Sequence, residues 1–331
     1  MIIRKKLDFD DVLIHPSRSC VSSRADVSMF ATNSMRQEIH AIPIVVSNMD
    51  ATGTIEMAKA VCSKGAMVAL HKYYDADEIV GALRDRPDLI GNVFVTIGYG
   101  QDEIDRISEV CERVGRPLNI CIDVANGHTS AFVKHVERVR NTLWDCNIMA
   151  GSVADPASAK SLLDAGAEII RVGIGSGSVC STREKTGVGI PQISAIMECA
   201  EAIHPLGGLI CSDGGVRLSG DIAKAFVAGA DFVMCGYMFA GTDECSGEWV
   251  DVDGKKHLRY YGMASELAQD KHNGGVKGYA TAEGRFMLVP YRGKAVDILD
   301  DILGGLRSCC TYCDAANIMD LQKAELVERC Q

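Results

Sequence analysis

The sequence predicts a single (β/α)8 barrel, and three observations carry that prediction. Eight short runs rich in β-branched and other apolar residues recur along the chain, stretches of helical length separate them, and glycine and polar residues gather where the runs end. Strands that alternate with helices, without a block of hairpins, pair in parallel, because a parallel connection must cross over through an intervening segment. Eight such units fit a closed barrel better than an open doubly wound sheet.

The runs are residues 44–47, 67–70, 93–97, 119–123, 147–150, 168–172, 209–211 and 232–235. Candidate helices lie between them at 54–64, 76–84, 102–114, 130–143, 156–165, 191–202 and 218–228. Gly65, Gly115, Gly166 and Gly229 stand where four of these helices should end, as C-terminal caps do. From about 242 to 289 the pattern loosens. Asp251-Val-Asp-Gly-Lys255 reads as a turn between two short strands. The stretch from His272 to Gly284 reads as a mobile excursion, and at this place in a barrel a lid is expected rather than a linker. Residues 1–331 are read as one barrel domain with no low-complexity tract.

A length of 331 residues is ordinary for such a barrel, and 47% hydrophobic with 24% charged residues is ordinary for a soluble protein. The formal net charge of -10 argues against nucleic acid or an anionic membrane surface as main partners. A small phosphorylated metabolite stays compatible, because local backbone N–H groups hold such an anion. The opening stretch from Met1 to Asp10 carries charge where a signal peptide would be apolar, and no run approaches a membrane span. Fourteen scattered cysteines then read as free thiols in a reducing cytoplasm. Cys309, Cys310 and Cys313 lack a second pair at zinc-site spacing, so no metal is expected there.

Chemistry is expected in the glycine-dense loop from Gly173 to Gln192, which holds Cys180 just after a β-branched run. A cysteine in such a loop is presented as a nucleophile, with Arg183 and a nearby helix start favouring the thiolate; the plainer alternative is a buried, inert thiol. The glycine spacing is not a dinucleotide fingerprint, which would need glycine at position 178, where this chain has Ser178. Asn48-Met-Asp50, His71-Lys72, Asp123-Val-Ala-Asn126, Ser212-Asp-Gly-Gly215 and Gly236 follow other strands. Barrel enzymes build their sites at that end of the strands.

The loop around Cys180 resembles the catalytic loop of the IMP dehydrogenase/GMP reductase family. Its continuation Arg183-Glu-Lys-Thr-Gly-Val-Gly189 resembles the reductase branch. The likeness covers nearly the whole chain: Leu7-Asp-Phe-Asp-Asp-Val-Leu13, Ser23-Arg24, Asn48-Met-Asp50, His71-Lys72, Cys121-Ile-Asp-Val-Ala-Asn-Gly127, Ser212-Asp-Gly-Gly215, Tyr261-Gly-Met263, Gly304-Gly-Leu-Arg-Ser308 and Thr311-Tyr312. It implies reductive deamination of GMP to IMP and ammonia with NADPH, through a covalent thioimidate that Cys180 forms at C2 of the guanine. Thr182 and Glu283 match the pair that handles the proton for the departing ammonia, a group that leaves poorly unprotonated. Taken alone, Thr182 is a capping hydroxyl and Glu283 a solvated carboxylate.

The resemblance places Ser178, Asp213, Gly214, Gly215, Gly236, Tyr237, Gly262, Met263, Ala264 and Gly284 on the purine nucleotide. Asp213 would take the ribose hydroxyls, and the Gly214 and Gly215 amides the phosphate. Without the resemblance, the Asp-Gly segment is an ordinary turn. It places Lys72, Asp123, Val124, Ala125, Gly175, Met263 and Tyr279 on the cofactor, with Ser23 and Arg24 by its phosphates. The plain alternatives are a Lys72–Asp123 ion pair across the barrel mouth and a solvated surface at Ser23-Arg24. It also implies potassium on the backbone carbonyls of Gly175, Gly177, Cys180 and Arg183, and a homotetramer.

Dehydrogenases of the family hydrolyse their adduct with an Arg-Tyr pair on a flap, where this chain has Gly278-Tyr-Ala-Thr-Ala-Glu-Gly284. They also often carry a regulatory insertion after the second strand, whereas Lys72 here runs straight into Tyr73-Tyr-Asp-Ala-Asp77. Both features favour the reductase over oxidation of IMP to XMP. Three positions depart from the reductase pattern: Tyr237 replaces a glycine, Ala264 a serine and Ala280 an arginine. The last two keep another 2-aminopurine nucleotide open as substrate. Against a catalytically idle nucleotide-binding regulator stands the intact set Cys180, Thr182 and Glu283.

Overall fold

The structure is a computed structural model that describes residues 5–278 and 281–329. Eight parallel strands close into a barrel: β1 (Ile44–Val46), β2 (Met67–Leu70), β3 (Val93–Ile97), β4 (Asn119–Asp123), β5 (Asn147–Val153), β6 (Ile169–Val172), β7 (Leu209–Asp213) and β8 (Phe232–Cys235). Each strand is followed by the helix of the same number: α1 (Ile55–Val61), α2 (Ala76–Asp85), α3 (Gln101–Val114), α4 (Ser130–Thr142), α5 (Pro156–Asp164), α6 (Gln192–Ile203), α7 (Ser219–Val227) and α8 (Ala295–Tyr312). The strands read as continuous apolar runs because both of their faces are buried. One face, with Val46, Val68, Val95, Ile122, Ile170 and Ile210, joins the layer under the helices. The other, with Val45, Met67, Phe94, Cys121, Met149, Ile169, Cys211 and Phe232, fills the barrel. A hairpin of Ala31–Asn33 and Ile39–Ala41 leads into β1 and adds Ile39 and Ala41 to that interior, plugging the end where the strands start.

The helix starts follow their side chains. Thr54, Thr129 and Asp155 each accept a backbone N–H of the first turn, and Asp75 with Glu78 forms a capping box. Gly65, Gly115, Gly166 and Gly229 all take the left-handed conformation expected of them.

Three parts of the fold differ from the sequence reading. Helix α8 lies outside the seven candidate helices and carries a Gly304-Gly305 pair in its middle. It forms because Leu299, Ile302, Leu303 and Leu306 are buried on one face. A Cβ at position 305 would lie 2.4 Å from Ser219 Oγ, so the glycine lets α8 pack against the start of α7. The stretch beyond residue 242 is more ordered than a loose excursion. Strands Trp249–Val252, Lys255–Tyr261 and Phe286–Pro290 form an antiparallel sheet, with the expected turn at Asp253 and Gly254. Between the last two strands lies a helix, Glu266–Asn273, capped by Ser265 and ended by Gly274, so His272 and Asn273 are helical. Strands Val12–Ile14 and Leu326–Glu328 also pair, outside the barrel. No described helix is long and apolar enough to cross a membrane.

Phe94 is fully buried inside the barrel, where its neighbours are held by the strand ladder and cannot collapse into a gap. Phe94→Ala is expected to cost about 3–5 kcal/mol, read as a lower urea midpoint; a loss under about 1 kcal/mol would mean that the interior is not packed as described.

Candidate active site

Side chains of a strand alternate between faces, so the positions two residues beyond the interior layer also point inward, at the mouth. From Cys121, Ile169 and Cys211 that step leads to Asp123, Arg171 and Asp213. Arg171 bridges the other two: Nη1 lies 2.8 Å from Asp123 Oδ1 and Nη2 2.9 Å from Asp213 Oδ2. Its side chain is 7% exposed. Burial works against charge on both partners. The Arg171 guanidinium, followed by the Lys72 ammonium, nevertheless holds the Asp123 carboxyl below the usual carboxylate range. Asp123 and Asp213 in turn raise Arg171 well above its ordinary value. A bulge in β5 beyond Ala150 turns Ser152 to within 3.4 Å of Asp213 Oδ2. The plain alternative of a Lys72–Asp123 ion pair does not form, because Asp123 pairs with Arg171. Among the described residues Lys72 forms no hydrogen bond or ion pair, and its ammonium lies 5.7 Å from the Tyr73 ring centroid.

The Cys180 loop leaves β6 at Gly173, where a Cβ would fall 2.1 Å from the Asp213 carbonyl oxygen; only glycine allows the loop to pass β7 so closely. The loop then pairs with the segment that re-enters the sheet after the excursion. Arg285 N–H donates to Val179 O at 2.9 Å, Ser181 N–H to Glu283 O at 2.8 Å, and Glu283 N–H to Ala264 O at 3.0 Å. That ladder brings three side chains into line. Cys180 Sγ lies 3.2 Å from Thr182 Oγ1, which donates to Glu283 Oε2 at 2.7 Å. A thiol, a hydroxyl and a carboxylate thus form one continuous hydrogen-bonded line.

Arg183, expected to favour the thiolate, is held elsewhere. Nη1 reaches Asp8 Oδ2 at 3.1 Å and Nη2 reaches Ile190 O at 2.6 Å. Its aliphatic stem covers Gly175 and Gly189, so it ties the loop together. The short helix Thr182–Thr186 does start just past Cys180.

These elements surround a cavity of about 700 Å³, within the range of small-molecule sites. Its wall includes Cys180, Thr182, Glu283, Lys72, Asp123, Val124, Ala125, Gly175, Gly177 and Met263, and with them Ser178, Asp213, Gly214, Gly215, Gly236, Tyr237, Gly262, Ala264 and Gly284. Gly214 and Gly215 have φ of 83° and 85°, and a Cβ on Gly214 would strike Ser176 Oγ at 2.6 Å. Both positions on the cavity wall therefore favour glycine. The Tyr237 ring lies against the Arg292 guanidinium, 4.7 Å from it, and Arg292 also donates to the Tyr237 and Met238 carbonyls. Ser23 and Arg24 do not line the cavity; they sit in a short turn packed against α8. Tyr279 and Ala280 lie outside the described residues.

Sequence reasoning missed Arg171, Ser152 and the excursion residues Gln269, Val276, Lys277 and Thr281 on the cavity wall. The signal for Arg171 was present, as a charged residue in register with an inward Ile169. Ser152 depends on the bulge, which leaves no mark in the pattern.

A model of the IMP dehydrogenase / GMP reductase domain matches residues 6–331. The chain is 46% identical to GMP reductase 1 of Homo sapiens over 321 residues, covering 96% of this chain and 93% of that protein. It is 44% identical to GMP reductase 2 of Homo sapiens over 321 residues, 96% and 92% of the two chains. With the GMP reductase of Vibrio vulnificus strain YJ016 the identity is 45% over 322 residues, 96% and 92% of the two chains.

Removing Arg171 leaves two largely buried carboxylates, each about a fifth exposed, without their shared cation. Arg171→Met is expected to cost about 3–5 kcal/mol at neutral pH. The sign with pH follows from the carboxyl. In the native protein the folded-state value of Asp123 is depressed below 3.8, so its contribution is present above about pH 4 and is lost as pH falls through the folded value. In Arg171→Met burial raises the Asp123 carboxyl instead, and acidification narrows the stability gap to wild type. Urea midpoints between about pH 4 and pH 7 read both effects; a constant gap would contradict the assignment.

Proposed function

The chain belongs to the IMP dehydrogenase/GMP reductase family, and we propose that it works as a reductase of GMP. GMP, NADPH and two protons give IMP, ammonium and NADP+. The observation that carries this reading is the line of Cys180, Thr182 and Glu283 on the wall of one cavity.

Cys180 Sγ forms a bond to C2 of the guanine, and the 2-amino group leaves as ammonia after protonation. Glu283 supplies that proton through the Thr182 hydroxyl, which already joins it to the sulfur. NADPH, when bound, supplies the hydride that replaces sulfur at C2 and frees the thiol. Asp213, held by Arg171 through Oδ2, is positioned to accept from the ribose. The amides at Gly214 and Gly215 suit the 5′-phosphate, and the Tyr237–Phe239 turn next to them is tied down by Arg292. The Ala264 carbonyl already holds the Glu283 N–H, and its methyl offers the purine no hydroxyl. This leaves the purine edge to backbone groups of Gly262, Met263 and Gly284.

The cofactor fits the wall formed by Lys72, Asp123, Val124, Ala125, Gly175 and Met263. Lys72 forms no ion pair among the described residues and carries its charge on the cavity wall near Asp123, a place suited to an anionic ligand. We assign potassium to the carbonyls of Gly175, Gly177, Cys180 and Arg183, in the loop that the Arg183 stem packs against. We take the assembly to be a homotetramer in the cytoplasm, built from one catalytic barrel without a regulatory insertion. Ser23 and Arg24, remote from the cavity of their own chain, then act on a cofactor only from a neighbouring copy. The flap segment without an Arg-Tyr pair favours hydride over water as the fate of the adduct.

GMP-dependent loss of NADPH absorbance, with one ammonium released per NADPH, is the expected result; NAD reduction with IMP and none of the former would overturn the reading. Cys180→Ala should abolish turnover while GMP still binds. Glu283→Gln should lower kcat about 10²–10⁴-fold with a smaller change in KM. A wild-type protein that binds GMP without consuming NADPH would be an idle binding protein instead.

A further inference from the structure

We propose that Asp50 and His272 form a latch that seats the excursion over the cavity, and that Asp50 is a positioning residue for Glu283. Asp50 follows β1 in a tight turn, where the Thr52 and Gly53 amides both donate to Met49 O. Its side chain is 5% exposed. One oxygen, Oδ2, accepts from three groups: Tyr261 OH at 2.8 Å, His272 Nε2 at 2.6 Å and Lys271 Nζ at 3.1 Å. All three donors belong to the insertion between β8 and α8, which contains the excursion. Tyr261 ends a strand of its sheet, and Lys271 and His272 lie in the last turn of the helix Glu266–Asn273.

The backbone around Asp50 points the same way. Asp50 N–H lies 3.4 Å from Met263 Sδ, and Ser246 Oγ donates to Asp50 O at 2.5 Å. The His272 ring also stacks on Tyr73, with centroids 3.4 Å apart and planes within 2°. Tyr73 adjoins Lys72 on the cavity wall, so the latch rests on the loops after both β1 and β2.

The two ends of the excursion helix thus have different anchors. Its start, at Ser265, pairs with Gly284 beside Cys180. Its end is fastened to Asp50, and from there the chain returns to Glu283. Burial alone would raise the Asp50 carboxyl, but the hydrogen bonds from His272 and Tyr261 and the charge of Lys271 hold it below the usual range, so the latch is anionic at neutral pH. A buried carboxylate stripped of its donors is costly, which favours the seated position of the helix.

This inference rests on the reading of Glu283 as the proton donor. The test uses the full-length protein with Asp50→Asn, His272→Phe and His272→Gln. His272→Phe keeps a ring for the Tyr73 stack and removes the donor; His272→Gln keeps a donor and removes the ring. Asp50→Asn and His272→Phe should lower kcat with GMP by about tenfold or more, with KM for GMP changed less than about threefold. Both should speed proteolytic cleavage within residues 274–278. His272→Gln should stay within about threefold of wild type on both readouts. Unchanged kcat and unchanged cleavage in His272→Phe would overturn the latch, and a loss confined to His272→Gln would mark the ring stack as the anchor instead; equal losses in both would likewise overturn the hydrogen bond to Asp50 as the anchor. If wild type does not turn over GMP, the reductase reading fails, while the cleavage rates still decide whether Asp50 seats the helix.

Discussion

Arg171 carries a positive charge into a barrel otherwise filled by apolar side chains, and the carboxylates it meets come from β4 and β7. None of these three groups is tolerable alone at such depth, because each would lose its hydration without a partner. Together they fix the mouth. Asp213 is held through one oxygen and still faces the cavity, and Asp123 is fixed beside the Val124 and Ala125 wall. The glycines nearby answer to the same constraint. A Cβ at Gly151 would lie 2.5 Å from Arg171 Cβ, so the bulged strand passes this side chain only as glycine. The apolar filling below sets how deep the charged layer sits.

On that platform the chemistry is assembled by backbone pairing. Thr182 and Glu283 are 101 residues apart in the chain, yet their side chains meet at 2.7 Å. Closing so long a loop costs chain entropy, and one hydrogen bond does not offset it. The closure is carried by the sheet of Trp249–Val252, Lys255–Tyr261 and Phe286–Pro290, whose last strand begins just beyond the Val179–Arg285 and Ser181–Glu283 pairings. Glu283 therefore sits at the edge of a rigid element, while the helix between the strands brings Gln269 and the segment after it to the cavity. Stability and access are assigned to different parts of one insertion.

Much of this was legible in the sequence, for identifiable reasons. The barrel strands announced themselves because doubly buried strands must be apolar throughout, and the polar residues at their ends marked the mouth. Cys180, Thr182, Glu283, Asp213 and the paired glycines were found through motifs whose residues are close in sequence or belong to long family segments. What was not legible depended on register or on distant partners. Arg171 was hidden in a run taken only as strand. The plain alternative of a Lys72–Asp123 pair gave way because the inward face of β6 sets Arg171 between the two carboxylates. Arg183 was read by its charge, whereas its stem and two distant acceptors decide its position. Helix α8 was not among the candidate helices; its Gly304-Gly305 pair lowers helical propensity, and Gly305 serves close packing against α7. Asp50 was read only as part of a motif, because its three partners lie more than 200 residues away.

The central claim is that Cys180 is the atom that takes the purine. Acid quenching during turnover with GMP and NADPH, followed by intact-mass measurement and peptide mapping, tests it most directly. The expected result is a mass gain equal to GMP less ammonia, located on the peptide containing Cys180 and absent from Cys180→Ala. Steady turnover with no adduct at any quench time, or an adduct mapped to another cysteine, would contradict it.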